Sequence, residues 1–362
     1  MYFGVALIEE GFAPVAWAAR GDLYSGSDYL AARAAAMGGA YLPLADDVAS
    51  ALFYNPASVA RIKGVELEPL NLSGAVNSAV VYPPSADLVK LPSLGEFGST
   101  IAADPGVGKG GGFAVLPCFG FRGLAVGALY QRHVYAVSSD GSALEYRTTN
   151  DFIPAIGMGF RLASGVVKVG YVFQWINRAE GTVTTDVASA SSYSSGLASG
   201  SGFSHNLGIT ISLPSNYTPT VSIVTRNFLG TPLVDAVGLD MLVSNPSGQL
   251  ASLPMTYDIA LAFEPKIGGA QTMKYLFEYR DVLGSTNDPI LGKLRTGLEV
   301  GIGGALFLRA GFGGGYPTAG IGLRSQRSEF SLAWFSNERG TGFRSSRDQQ
   351  YMSQIRFRFA GY

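Results

Sequence analysis

The sequence has little of three things that enzymes and secreted domains commonly carry: cysteine, histidine and charge. Its 362 residues include one cysteine and two histidines, and 15% are Asp, Glu, Lys or Arg. The single Cys118 excludes an intrachain disulfide and a cysteine-rich metal site. A soluble domain carries about 25% charged residues, so much of this surface is not built for water. A protein that binds nucleic acid carries an excess of basic residues, and the net charge of −1 shows no such excess here.

A long apolar run is also missing. No stretch approaches the roughly 18 residues that a transmembrane helix needs, yet the mean hydropathy is positive, at +0.20. Glycine is abundant, with 48 residues, and aromatic residues reach 12%. Hydrophobicity that is high on average but finely spread is typical of alternating β-strands.

The N-terminal segment 1–27 fits a secretory signal only in part. Met1–Ala19 contains no Lys or Arg, and Glu9 and Glu10 interrupt it, although Ala16-Trp17-Ala18 resembles a cleavage site. Two interpretations stay open, a degenerate or mis-started signal segment and a mature N-terminal arm.

Strand-like alternation recurs along the rest of the chain. Residues 203–213, F-S-H-N-L-G-I-T-I-S-L, place apolar side chains and His205 on one face and Ser, Asn, Gly and Thr on the other. Eleven alternating residues cross a bilayer when the strand is tilted. We predict fourteen strands, near 64–72, 112–119, 122–132, 152–161, 166–177, 203–213, 219–228, 255–264, 270–281, 293–302, 305–313, 317–324, 328–336 and 349–359.

The predicted connections alternate between short and long, with 314–316 as the exception. Outer-membrane barrels have an even number of strands, short periplasmic turns and long outer loops. A soluble β-sandwich has no reason to keep its short turns at one end. We therefore predict an all-β fold, a transmembrane antiparallel β-barrel over 64–362 in the bacterial outer membrane, in contact with its lipid. The barrel must close, because lipid cannot satisfy an open strand edge.

Residues before the first strand are not barrel material. Just before the stretch S-A-L-F-Y-N-P-A-S-V (50–59), Asp46 or Asp47 can cap a short helix that runs through Phe53 or Tyr54, and Pro56 ends it. A fourteen-stranded barrel is wide enough to need filling. We predict that 28–63 forms a small helical plug on the periplasmic side.

The same residues carry a resemblance. "AARAAAMGGAYLPLADDVASALFYNPASVA" resembles the N-terminal hatch of the FadL-like outer-membrane superfamily, which includes long-chain fatty-acid transporters. "GYPTAGIGLRSQRSEFSLAWFSNERG" is similar to the PorV and TraF-like branch. The resemblance implies a hatch that closes the lumen, either as a gate or as a structural plug. The hatch or gating residues that it implies are Gly38, Gly39, Asn55, Pro56 and Ala57.

The resemblance implies two functions, neither enzymatic. Transporter members pass hydrophobic molecules from the lumen sideways into the membrane, which predicts transport of fatty-acid-like small molecules here. The PorV branch is a scaffold or shuttle for protein secretion, which predicts a secretion or cell-envelope protein as partner.

The sequence offers little for catalysis or metal binding. Gly106–Gly111 satisfies G-x-G-x-x-G, but it follows Asp104-Pro105 and leads into a strand, so we interpret it as a loop. His133 falls at the outer end of a strand and His205 on the lipid-facing register, which makes a weak metal case. An outer-rim pair of His133 with Asp140 is the enzymatic alternative. We expect no enzyme activity, metal or cofactor.

Charged residues on the predicted lumen face of the C-terminal strands are the more informative candidates. They form either a paired network that braces the wall and the plug, or a basic patch for an acidic headgroup or a cargo carboxylate, since Arg binds carboxylates through its bidentate fork. These candidates are Lys274, Glu278, Arg280, Arg295, Glu299, Arg309, Arg356 and Arg358.

Two further segments are expected at the outer end. The Ser/Gly-rich 186–204 is predicted to be a flexible outer loop. The apolar patch from Leu88 to Phe97, within 73–111, is expected to cover the mouth or to contact a partner.

Overall fold

The computed structural model describes nine ranges of the chain: 29–81, 99, 101–138, 140–186, 197–234, 248–267, 271–286, 289–339 and 343–361. The expectation for Leu88–Phe97 lies outside the described residues, as do those for 1–27 and for most of 186–204.

Fourteen antiparallel strands form one closed barrel. Each strand pairs with its neighbours in sequence, and the last strand pairs with the first, from Val65 opposite Gly361 to Asn77 opposite Gln350. The second strand is broken into two segments that share the same neighbours. The strands are β1 (Val65–Asn77), β2 (Lys109–Val115 and Cys118–Phe121), β3 (Leu124–Val137), β4 (Ala143–Leu162), β5 (Val167–Asp186), β6 (Ala198–Ser212), β7 (Thr220–Arg226), β8 (Thr256–Phe263), β9 (Gln271–Tyr279), β10 (Leu294–Ile302), β11 (Leu306–Gly313), β12 (Tyr316–Arg324), β13 (Ser328–Glu338) and β14 (Arg347–Gly361).

The fourteen-strand prediction and the all-β class are confirmed, but several strands extend further outward than predicted. β4 begins at Ala143 rather than 152, and β5 ends at Asp186 rather than 177. The sequence prediction ended these strands early because polar residues, among them the buried Thr148, Asn150 and Asn177, interrupt the apolar alternation there. Polar residues break the lipid-facing alternation without breaking the strand.

The two faces of the wall differ. Outward side chains such as Ile156, Phe160, Ile209 and Leu323 are large, apolar and exposed. Inward side chains on the same strands are mostly buried, because another part of the chain fills the barrel. None of the helices in the described ranges is long and apolar enough to cross a membrane.

Residues 29–62, here named the hatch segment, lie inside the barrel against the inward side chains. They form helix α1 (Ala32–Ala36), a 3-10 turn at Leu42–Leu44, helix α2 (Val48–Phe53) and a second 3-10 turn at Pro56–Arg61. As predicted, Asp47 caps α2, in a capping box with Ser50. Pro56 then opens the following turn rather than continuing the helix.

Short helices stand at the outer end of the barrel in the described ranges. Among them are α3 (Ser78–Val81), which follows β1, and α4 (Ile290–Lys293), which precedes β10. Short turns join the strands at the opposite, periplasmic end.

Candidate functional site

Asn55 ties the hatch segment to the wall. Its Nδ2 donates to the carbonyl oxygen of Leu42 and to Thr210 Oγ1, both at 2.9 Å, and to Ser222 Oγ at 3.3 Å. Its Oδ1 accepts from the Ala57 N–H at 3.0 Å. The side chain is fully buried. One amide therefore joins two parts of the hatch segment to strands β6 and β7, which explains why asparagine stands before the proline.

The turn after Asn55 rests on wall glycines. A Cβ placed on Gly170 would lie 1.9 Å from the Pro56 carbonyl oxygen, and one on Gly208 would lie 2.7 Å from the Ala57 nitrogen. At Gly159 the nearest atom would be the Ala60 nitrogen, at 2.3 Å. Real Cβ contacts are never this short, so only glycine admits the hatch backbone here. We name Gly159, Gly170 and Gly208 the first glycine seat.

A second glycine seat, Gly297, Gly311 and Gly313, receives Met37 and Gly38. A Cβ on Gly313 would lie 1.8 Å from the Gly38 carbonyl oxygen. Gly38 itself has φ +66°, a conformation that L side chains rarely adopt, and its own added Cβ would lie 2.4 Å from the Phe312 carbonyl oxygen. The Met-Gly-Gly and Asn-Pro-Ala elements thus dock on opposite glycine surfaces of the inner wall.

Ion pairs add to the two seats. Arg33 on α1 holds both oxygens of Glu299, at 2.7 and 2.8 Å, and reaches Asp46 at 2.8 Å. Burial alone would lower the pKa of Arg33 and raise the pKa of Asp46, which favours the uncharged form of each. However, the two carboxylates raise the pKa of Arg33 above its ordinary value, and Arg33 holds the pKa of Asp46 well below its usual range. Both groups therefore stay charged at neutral pH.

The network continues around the wall. Arg309 donates to Glu299 at 2.8 Å and lies 3.4 Å from Glu329. Arg356 joins Glu329, at 2.7 Å, to Asp47, the N-cap of α2. A continuous chain of alternating charge thus runs from α1 through β10, β11, β13 and β14 back to α2.

The eight lumen candidates fall in different places. Glu278 accepts from the backbone N–H groups of Tyr41 and Leu42, while Arg280 donates to the Gly39 carbonyl oxygen at 3.0 Å. Arg295 donates to the Gly38 carbonyl oxygen at 3.3 Å. Glu299, Arg309 and Arg356 belong to the charge chain. The other two candidates lie elsewhere on the wall. Lys274 lies 3.5 Å from Glu264, and Arg358 lies near the periplasmic end of β14.

Sequence reasoning missed several anchors, among them Gln174 and Arg226. Gln174 donates to the Leu52 carbonyl oxygen at 3.1 Å, and Arg226 donates to those of Phe53 and Tyr54 at 3.2 and 3.3 Å. These are carbonyls that the end of α2 leaves without helical partners. No local pattern marks the two residues, because their partners lie more than a hundred residues away.

The wall has an irregular seam between β1 and β2. β2 breaks at Leu116–Pro117, and the register against β1 shifts by one residue across the break. β1 carries the extra residue, in a bulge around Pro69 that also interrupts its pairing with β14. Prolines have no N–H to donate, so Pro69 and Pro117 leave this seam short of ladder bonds. The Leu116 N–H still donates to the Asn71 carbonyl oxygen, at 2.9 Å.

The hatch segment covers the seam from inside. The Val48 N–H donates to Glu68 at 3.2 Å, and the Tyr29 hydroxyl donates to Asn71 Oδ1 at 2.9 Å. Asn71 Nδ2 is buried without a hydrogen-bond partner, which is costly in a protein interior. Just above, Leu30 and His133 help to line a cavity that holds about one water molecule. The seam is therefore a weak point that the hatch segment seals.

The two histidines do not meet. His133 lies within β3 and faces the lumen, not at the strand end as predicted. His205 faces lipid in the middle of β6, where its Nδ1 lies 2.6 Å from the Tyr171 hydroxyl and its ring lies 5.5 Å from that of Phe173. Within the described part of the chain, no group of three or more His, Cys, Asp or Glu could hold a metal ion.

Comparison with known proteins gives a fold. No family model matches the sequence, and no curated protein matches it. Among solved structures, a deltaS2 mutant of the TodX monoaromatic hydrocarbon channel aligns with 91% of this chain and 97% of its own, at a TM-score of 0.51 and 11% identity. The Ralstonia pickettii toluene transporter TbuX aligns with 93% and 100%, at 0.47 and 10%. Outer membrane phospholipase A from Escherichia coli aligns with 80% and 98%, at 0.32 and 11%.

At this identity the TodX likeness shows the fold. The chain is an outer-membrane-type β-barrel of fourteen strands. More particularly, its barrel shares the fold of the TodX monoaromatic hydrocarbon channel.

Proposed function

We propose that this protein is a non-enzymatic channel that carries small hydrophobic molecules across the outer membrane. Its fold is shared with a channel named for monoaromatic hydrocarbons. The outward face of the barrel is apolar and contacts the lipid. A hydrophobic cargo that leaves the lumen can therefore partition into that lipid. Aromatic molecules and fatty-acid-like chains both belong to this class.

The observation that carries the proposal is the seam between β1 and β2, where Pro69 and Pro117 weaken the ladder and the hatch segment packs behind it. A molecule in the lumen leaves sideways when Tyr29 and α2 move away and the strands part. Lateral release keeps an apolar cargo out of water. Exposure to water is the larger part of the free-energy cost of moving such a molecule.

The hatch residues then act as gating elements in this proposal. Gly38 and Gly39 have positive φ values, +66° and +83°, so they are the positions where the chain turns without strain. Asn55, Pro56 and Ala57 fix the other end on the first glycine seat. The hatch segment therefore swings between two fixed points rather than leaving the barrel.

One observation favours the second candidate, a PorV-like scaffold for a secretion or envelope protein. β1 is paired with β14 on one side and with β2 on the other, above and below the break. The wall is thus closed in this conformation, as a scaffold that passes nothing would be.

A disulfide across the seam separates the two functions. In a Cys118→Ser background, Leu72→Cys with Val115→Cys places thiols on an outward register pair of β1 and β2. The control pair, Ile321→Cys with Leu332→Cys, does the same on β12 and β13. We expect oxidation of the seam pair to stop most uptake of radiolabelled toluene by reconstituted vesicles, and reduction to restore it.

The control pair is expected to have no effect on uptake. Uptake that continues through an oxidised seam would contradict lateral release. Protein that takes up no toluene, and co-purifies with a secreted protein by mass spectrometry, would establish the scaffold instead.

A further inference from the structure

We propose that the cargo of this channel is uncharged while it passes through the lumen, and that carboxylates are rejected. The inference rests on the proposed function and narrows its substrate class. It follows from the partners that the inward-facing Lys and Arg side chains already bind within the protein.

The outer half of the lumen holds a buried ion pair. Arg178 on β5 donates to both oxygens of Asp151 on β4, at 2.7 and 3.1 Å. Gln131 on β3 donates to the same carboxylate at 2.8 Å. Arg178 and Asp151 have side chains at most 1% exposed. This bidentate fork is the arrangement that would bind a carboxylate cargo, and a wall carboxylate already occupies it.

An apolar ring lies directly below this pair. The next inward positions toward the periplasm on the same three strands are Leu129, Ile153 and Ile176, and all three are fully buried. The hatch residue Leu52 follows, since it is the close neighbour of Gly127 and Gly157. A molecule that travels from the outer end to the hatch segment therefore meets a neutralised ion pair and then hydrocarbon.

In the periplasmic half of the lumen, inward-facing cations are likewise paired with carboxylates of the protein. Arg33 and Arg309 both bind Glu299, and Arg309 and Arg356 both contact Glu329. Arg33 and Arg356 also bind the hatch carboxylates of Asp46 and Asp47. On the remaining wall, further cations each have a carboxylate within 2.9 Å: Arg226 with Asp258, Arg280 with Glu278, Lys293 with Asp281 and Arg339 with Asp348.

Other inward-facing cations bind hatch carbonyl oxygens rather than a carboxylate: Arg161 binds those of Ala60 and Arg61, and Arg295 binds that of Gly38. Of 26 Lys and Arg residues, Arg20 and Lys90 alone fall outside the described ranges. A carboxylate cargo would have to displace a wall carboxylate and leave it buried without its partner, or stay unpaired beside the apolar ring. Both are strongly unfavourable. An alcohol, ester or hydrocarbon of the same length meets neither cost.

The test uses 1-octanol and octanoate, which have the same chain length and differ in charge at neutral pH. After subtraction of uptake by protein-free vesicles, we expect the wild-type protein to carry octanol about tenfold or more faster than octanoate, because the charged form lacks a partner. Asp151→Asn frees the Arg178 fork and should raise octanoate uptake selectively. Asp140→Asn, in an exposed outer turn, should leave the ratio unchanged.

Folding of each variant is checked by its heat-modifiable migration in gels. If Asp151→Asn fails to fold, Asp258→Asn, which removes the carboxylate partner of Arg226, replaces it. Equal uptake of the two molecules by the wild type, or no gain of octanoate in a folded variant, overturns the inference and leaves the channel function intact. Uptake of neither molecule contradicts the channel function itself.

Discussion

At the scale of the residue, the hatch segment depends on polar groups whose partners are fully specified. Asn55 uses all its amide atoms within the protein, whereas Ser58, three residues later and equally buried, has a hydroxyl without a partner. The two side chains sit in the same turn and differ in what they bond. They form a matched pair for measuring what the amide contributes.

We expect Asn55→Ala to destabilise the folded protein by about 2 kcal/mol, since it strands buried partners on the hatch segment and on β6. Hydrogen exchange in 48–61 should rise with it. Ser58→Ala should be neutral or slightly stabilising, because it removes an unpaired hydroxyl. The free energies come from denaturant unfolding in detergent. An Asn55→Ala variant as stable as Ser58→Ala would show that the amide does not anchor the hatch segment.

At the scale of the element, the outer loop between β9 and β10 is closed by one carboxylate. Asp281 accepts from the Ser285 and Thr286 N–H groups at 2.9 and 2.8 Å, and from Lys293 at 2.7 Å. Burial alone would raise the pKa of Asp281, but Lys293 and the Thr286 groups outweigh it and lower that pKa to about 2. The folded-state pKa therefore lies below the value of about 3.9 for an unfolded Asp.

The sign of the pH dependence follows. A lowered pKa gives stability that is present above about pH 4 and is lost as pH falls through about 2. A spin label on Leu283→Cys in a Cys118→Ser background should thus stay immobile at pH 5 and become mobile between about pH 4 and 2. A label on Gln326→Cys, in a periplasmic turn, should show no such transition. A loop label that loosens at the same pH in Lys293→Met would contradict the role of the ion pair.

At the scale of the whole molecule, alternation and connection length predicted the fourteen strands, because lipid outside and a filled lumen inside impose period two on each of them. The capped helix before Pro56 was predictable for an equally local reason. The glycine seats were not, and for the charge chain the sequence offered only a paired network bracing wall and plug as one alternative, without its partners, since closure of the barrel brings Arg33 to Glu299, 266 positions away. Asp46 and Asp47 were visible as an acidic pair, but their partners Arg33 and Arg356 were not assignable from spacing.

Closure of the barrel and filling of its lumen together predict an ion-tight molecule. In planar bilayers the wild type should show no steady conductance, because the hatch segment occupies the lumen from Tyr29 to Ile62. Gly170→Leu combined with Gly313→Leu puts side chains where the Pro56 and Gly38 carbonyl oxygens lie. This double variant should lose both seats and conduct. Gly74→Leu, on β1 where an added Cβ meets nothing closer than 3.9 Å, should stay closed. A folded double variant that remains ion-tight would mean that another part of the chain, and not the hatch segment, seals the lumen.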